Sequence, residues 1–412
     1  MTRTLSRLDI ASYSSYALPL AMVALPVYVY VPQFYAETFG LSLTLIGAAL
    51  LLARLLDAFI DPAIGMWLDR SRSANHYAHY ILLALPLLLT GFLALFHPLT
   101  PAHEQPLIWF ALSLMLVYGG YSLASIAYQS WGAALTQARG ARTQLSASRE
   151  ASGLAGVILA AAIPGVLGLP VLLLLFVPSL LLGSWLLLRH APRPVVHARP
   201  AQGNPLIPIH NPRFRWLLSV FVLNGIAAAI PATLFMFFSR DFLGLPQYAG
   251  LFLLLYFFAA ALSMPLWTTL SKHYSEKHAW LLGMALAIIS FVWAYFLQAG
   301  DVKGYALICI VSGMALGADL ALPPALLAAT IGHAQHAGIH EGTYFGLWNW
   351  ATKLNLALAA GIALPMLELL GYHSGSNDAQ GLQALAFGYA ILPSILKTFA
   401  ALLLWRAPLN LQ

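Results

Sequence analysis

RLLDAFIDPAIGMWLDRSR, residues 54–72, closes an apolar run that begins near Leu41 and is too long for an ordinary surface helix. Two carboxylates, Asp57 and Asp61, are embedded in that run, with Arg54 one turn before them. Positions 54, 57, 58 and 61 follow helical spacing, so Arg54, Asp57 and Asp61 are expected to share one face. An ionisable group at membrane depth costs on the order of 2.5–3.5 kcal/mol on insertion scales. Such groups persist where they face a bundle interior and bind something, which makes this face the candidate ion site. Two carboxylates four residues apart repel when both are ionised, so a cation lies between them or one holds a proton. Either state couples the pair to an ion, since sodium-like ions take hard oxygen ligands and a protonatable carboxylate carries a proton. The plainer reading is that Arg54 and Lys353 merely neutralise the two acids within the bundle.

Outward from this stretch, 60% of the 412 residues are hydrophobic and 8% are charged, against roughly 25% charged in soluble domains. Mean hydropathy is +0.78. Such a chain cannot cover itself with a polar surface, so the solvent around most of it is lipid. The net charge of +6 falls in short loops and reads as topology, so no nucleic-acid partner is expected. The single cysteine, Cys309, lies in an apolar run and reads as a small buried hydrophobe, with no disulfide within the chain. No Walker loop, GxSxG or HExxH occurs, so neither ATP-driven transport nor enzymatic hydrolysis has support, and no cofactor is expected. The N-terminal MTRTLSRLD carries two arginines with no small-residue cleavage site after it and reads as leading into a retained first helix.

A span needs about 20 apolar residues. Twelve segments qualify: 11–36, 42–68, 77–98, 106–136, 146–168, 170–190, 212–239, 247–271, 278–299, 303–331, 342–370 and 381–405. Only a Gly168-Leu169-Pro170 turn separates the fifth from the sixth. The expected organisation is a six-helix bundle over 1–190, a Pro-, Arg- and His-rich linker over 191–211, and a second six-helix bundle over 212–412. GMWLDRSR after span two is echoed by PLWTTLSKHYSEK after span eight, as in a duplicated transporter. Arg3, Arg7, Arg70, Arg72, Arg139, Arg142, the linker arginines, Lys272, Lys277 and Arg406 fall on one side of this layout. By the positive-inside rule both termini and the linker are cytoplasmic. Prolines interrupt several spans (19, 26 and 32 in the first, 164 in the fifth, 323 and 324 in the tenth), which is tolerated where neighbours or a water-filled cavity satisfy the backbone.

Beyond helix two, Lys353 lies about a dozen residues inside span eleven, too deep to snorkel easily, and is expected as counter-charge to Asp57 or Asp61. Asp319, between Gly317 and Pro323, is expected to pair with Lys353 or to line the substrate path. Lys397 is near enough to its span end to snorkel. Polar and aromatic groups gather in spans four and eleven, and Tyr28, Tyr121, Ser125, Tyr128, Gln129, Trp348 and Asn349 are the substrate-binding candidates. Aromatic faces with a few amides suit a sugar or another flat polar ligand. Trp and Tyr also form interfacial belts, which explains many of them equally well. His333, His336 and His340 read as a solvated loop rather than a metal site.

The 54–72 stretch resembles the span-two signature of the glycoside–pentoside–hexuronide:cation symporters, the melibiose-permease-like branch of the major facilitator superfamily. The resemblance extends over FYAETFGLSLTLIGAALLLA (34–53), YSLASIAYQSWGAALTQARGARTQLSASRE (121–150) and EGTYFGLWNWATK (341–353), with 54–72 about a fifth of the chain, in the family's order. It implies an all-α polytopic membrane protein of the major facilitator fold, with twelve transmembrane helices in two pseudo-symmetric six-helix bundles and alternating access to a central site. It implies that Asp57 and Asp61 ligate the coupling cation, that Ser122 matches a hydroxyl of that site, and that Lys353 matches the span-eleven lysine. There are departures. The span-one aspartate that holds sugar in melibiose-type members is replaced by apolar residues and prolines around Ala21. A span-four sugar-side aspartate is Ser125 here. An amide before the second carboxylate is Ile60, which removes one reason to favour sodium over protons. The expectation is a monomeric symporter in a bacterial inner membrane, moving a small polar solute, a sugar or glycoside, with H+ or Na+. The alternatives are a lipid or lysolipid transporter of this fold and a membrane sensor without flux.

Overall fold

The protein is described by a computed structural model over residues 5–70, 75–99, 104–194, 206–372 and 378–409. Arg3, Arg72 and the linker's Arg199 lie outside the described residues, as does the side chain of Tyr28. Among the described residues there is no strand, and twelve long helices follow in order, with single turns of helix at Ile207–His210 and Pro246–Tyr248 between them. Helix 1 comes in pieces: Arg7–Ser14, Ala17–Leu25, a π-turn over Pro26–Tyr30, and Val31–Phe39. Helices 2 to 6 are Leu43–Asp69, His76–Phe96, Pro106–Leu135, Arg139–Leu167 and Leu169–His190. Helix 7 is Pro212–Phe237, followed by a π-turn over Phe238–Phe242. Helices 8 to 11 are Ala249–His273, Glu276–Ala294, Val302–His333 and Glu341–Leu369. Helix 12 joins Ala379–Ala386 to Leu392–Arg406 through a π-turn over Phe387–Ile391. Among the described residues, nine helices are long and apolar enough to cross a membrane; helices 1, 2 and 5 complete the twelve.

Proline accounts for the broken first helix. Pro26 and Pro32 supply no N–H and crowd the carbonyl four residues back, so the ladder loosens into a π-turn between them. Gly40, in the left-handed region at φ 66°, ends that helix. Ser42 starts helix 2 by accepting the Leu45 N–H at 3.3 Å. At the fifth-to-sixth boundary Gly168 adopts φ 87° and turns the chain between Leu167 and Leu169, where the sequence places the break. Helix 5 begins at Arg139, seven residues before the expected 146. Its first two turns are polar, and hydropathy marks only the part of a helix at membrane depth.

Two compact units divide the chain. The first comprises Met1–Ala141, Ser148–Pro208 and Ala334–Trp350; the second comprises Arg142–Ala147, Ile209–His333 and Ala351–Gln412. In the first, helices 3 and 4 pack backbone to backbone. A methyl on Gly91 would come within 2.8 Å of the Val117 nitrogen, and one on Gly120 within 2.9 Å of the Leu88 nitrogen. Small residues permit this approach, and dispersion between close helices drives association where lipid offers no hydrophobic gain. The second unit is organised around Ile230, Leu234, Phe238, Tyr305, Leu385 and Tyr389. There Phe238 stacks on Tyr389 at 4.0 Å, and the Tyr305 and Tyr389 hydroxyls bond at 2.6 Å.

Candidate functional site

Helix 2 carries its ionisable residues into progressively deeper surroundings: Arg54 is exposed, Asp57 half-buried and Asp61 0% exposed. Helix 4 answers with polar groups at i, i+3 and i+7. Ser122 Oγ donates to Asp57 Oδ1 at 2.6 Å, a short bond of the kind made to a charged acceptor. Ser125 Oγ donates to the Ser122 carbonyl at 3.2 Å and accepts from Asn349 Nδ2 at 3.0 Å. Gln129 Nε2 closes the line by donating to Asn349 Oδ1 at 3.2 Å. A continuous polar seam thus runs from Asp57 through helix 4 to the start of helix 11, all within the first unit. It brings together Asp57, Ser122, Ser125, Gln129 and Asn349 from the sequence candidates.

Other candidates sit differently. Tyr128 donates its hydroxyl to the Tyr13 carbonyl at 2.8 Å while Tyr13 donates to the Tyr128 carbonyl at 2.9 Å. Its phenol is therefore committed to tying helix 1 to helix 4. Trp348 is buried and Tyr121 half-buried. Lys353 is half-buried and belongs to the second unit. Asp319, expected beside Lys353 or in a substrate path, has Lys397 as its ion-pair partner, Nζ to Oδ2 at 2.6 Å. Asn224 Nδ2 and Trp280 Nε1 donate to the other oxygen at 3.1 and 2.8 Å, and Lys397 also donates to Asn224 Oδ1 at 2.7 Å. Lys397 is 3% exposed, so the snorkelling expected of it is replaced by burial, because a carboxylate and an amide satisfy its ammonium inside the unit.

Sequence reasoning passed over Asp69, although it ends the quoted stretch. Its carboxylate accepts the Gly342 and Thr343 backbone N–H groups at 2.7 and 2.6 Å and the Thr343 hydroxyl at 2.5 Å. It caps helix 11 from another helix, satisfying N–H groups that a helix start leaves over. Beside this cap the helices touch closely: a methyl on Gly346 would come within 2.7 Å of the Asp61 carbonyl oxygen. Glu341 accepts from Gly338 N and, at 3.5 Å, from the Tyr77 hydroxyl. His336 Nδ1 lies 2.9 Å from the Tyr344 hydroxyl, and the His336 and His340 rings stand 5.2 Å apart. An acid at a helix end and a glycine pair four residues apart were the only signals available for this cluster.

Comparison with known proteins bears on the family and the fold. The model of the family described as MFS/sugar transport protein matches residues 12–177 and 207–411. The chain belongs to that family. An uncharacterized symporter, YjmB of Bacillus subtilis, is 22% identical over 380 residues, covering 87% of this chain and 82% of the relative. The inner membrane symporter YicJ of Escherichia coli is 30% identical over 135 residues, covering 32% of this chain and 29% of the relative. Among solved structures, a bacterial homologue of the iron transporter ferroportin superposes with a TM-score of 0.72 at 16% identity, covering 96% and 99% of the two chains. The E. coli fucose:proton symporter FucP gives 0.65 at 16% identity, covering 95% and 97%. Both likenesses concern the fold. The protein is a multi-pass membrane transporter with the major facilitator fold, as the resemblance implied.

Proposed function

We propose that the protein is a cation-coupled symporter that carries a small polar solute, a sugar or glycoside, across a bacterial inner membrane by alternating access, with both termini cytoplasmic. The observation that carries this reading is the 2.6 Å bond from Ser122 to Asp57, one helical turn from the wholly buried Asp61. A carboxylate in so dry a setting holds its charge only beside positive charge, and an arriving proton or sodium ion is charge of that kind. In the cycle, Asp57 and Asp61 take up the cation from outside. Its arrival raises affinity for solute along the Ser125–Asn349–Gln129 seam, and both are released inside. The symporters among the relatives support coupling in kind. Purified protein in proteoliposomes, screened with sugars and glycosides under an inward proton or sodium gradient, tests it. Gradient-dependent accumulation of one solute is expected. Gradient-independent movement of labelled lipid, with no solute accumulated, contradicts the reading.

A further inference from the structure

A groove of about 420 Å³ on the first unit is lined by Leu85 of helix 3 and by Leu181, Ser184, Trp185, Leu188 and Arg189 of helix 6. Positions 181, 184, 185 and 188 recur at helical spacing, so they form one stripe. The one hydroxyl in it is already used, since Ser184 Oγ donates to the Leu180 carbonyl at 2.7 Å. The groove wall therefore presents mainly hydrocarbon and an indole. At its end the chemistry reverses. Arg189 is exposed, and Arg193, also exposed, donates to the carbonyl of Leu188 with its guanidinium 4.8 Å over the Trp131 ring. Residues 169–194 contain no acidic side chain to neutralise these two. Trp185 packs edge-on against His190 at 4.9 Å, a pairing suited to headgroup level in a bilayer.

We propose that this groove binds an anionic phospholipid of the surrounding bilayer, with an acyl chain along the leucines and Trp185 and the phosphate between Arg189 and Arg193. Basic pockets at the ends of membrane helices recognise such headgroups, and guanidinium matches phosphate geometry in two-pronged bonds. A zwitterionic headgroup brings an ammonium that the same two guanidiniums repel, so the site selects charge rather than lipid in general. The occupant is a bound bilayer lipid, not cargo, and the proposal stands independently of the coupling cation.

The test is native mass spectrometry of the full chain in detergent, titrated with phosphatidylglycerol or with phosphatidylcholine of the same acyl chains. Phosphatidylglycerol is expected to bind more tightly. The preference should weaken about fivefold for each arginine removed, falling in Arg189→Gln and vanishing in Arg189→Gln with Arg193→Gln. Arg189 is exposed and its single substitution leaves the fold intact. Arg193 also holds the Leu188 carbonyl and covers Trp131, so the double variant is read at an unfolding temperature matched to that of the unaltered protein. Equal binding of the two lipids by the unaltered protein, or a preference that survives the double substitution, overturns the proposal.

Discussion

In the proposed cycle, cation affinity turns on the bond from Ser122 to Asp57. Hydrogen bonds to charged groups contribute about 1.5–3 kcal/mol, so Ser122→Ala should raise the half-maximal cation concentration for uptake by roughly tenfold or more. Ser122→Thr, which keeps the hydroxyl, should stay near the original value in the same titration. A second residue-scale prediction concerns pH. Burial first, and His336 second, push the His340 imidazole down to about 4, against 6.5 in an ordinary setting; burial lowers His336 as well. Between those two values the unfolded chain binds a proton that the folded His340 refuses. The His340 contribution to stability is therefore whole above pH 6.5, declines as pH falls toward 4, and levels off below it. Thermal unfolding in detergent from pH 7.5 to 4 should show it as a difference: toward pH 4 the unaltered protein should lose stability relative to His340→Gln. The burial of Asp61 and the polar contact of Asp57 were legible in the sequence because a charge inside an apolar run has a cost that its surroundings must offset. The role of Lys397 was not, because distance from a span end says nothing about a carboxylate on another helix.

Helix 2 and the beginning of helix 11 meet through backbone contact and one carboxylate cap. Asp69→Ala strips three donors of their acceptor, and leaving buried groups unsatisfied costs about 1–3 kcal/mol each at most. It should lower the unfolding temperature and open the 333–341 segment to proteolysis, with Asp69→Asn intermediate because an amide oxygen still accepts. A Gly346→Val substitution should be harsher, since even a single methyl there lies 2.7 Å from the Asp61 carbonyl. Limited proteolysis of the three variants checks that order. Helix positions were readable from hydropathy to within a few residues, and Gly168 marked the fifth-to-sixth turn correctly. The polar start of helix 5 and the contact of Asp69 with residues 342–343 were not. The first is helical outside the apolar run, and the second joins positions more than 270 apart through shape rather than pattern.

Across the molecule, each unit has its own polar centre: the Asp57–Ser122–Ser125–Asn349–Gln129 seam in the first, and Asp319 with Lys397, Asn224 and Trp280 in the second. The second centre is a tie. Breaking a buried ion pair from one side costs about 3–5 kcal/mol, whereas replacing both partners with apolar groups is often neutral. Lys397→Met alone should thus destabilise strongly in thermal unfolding, and adding Asp319→Leu should restore most of the loss. The first centre is the one assigned to transport, and Asp61→Asn separates its parts. Comparing gradient-driven accumulation with equilibrium exchange in the same proteoliposomes tests that assignment most directly. Accumulation should disappear while exchange of the solute continues. Accumulation at the level of the unaltered protein in both Asp57→Asn and Asp61→Asn would contradict the account.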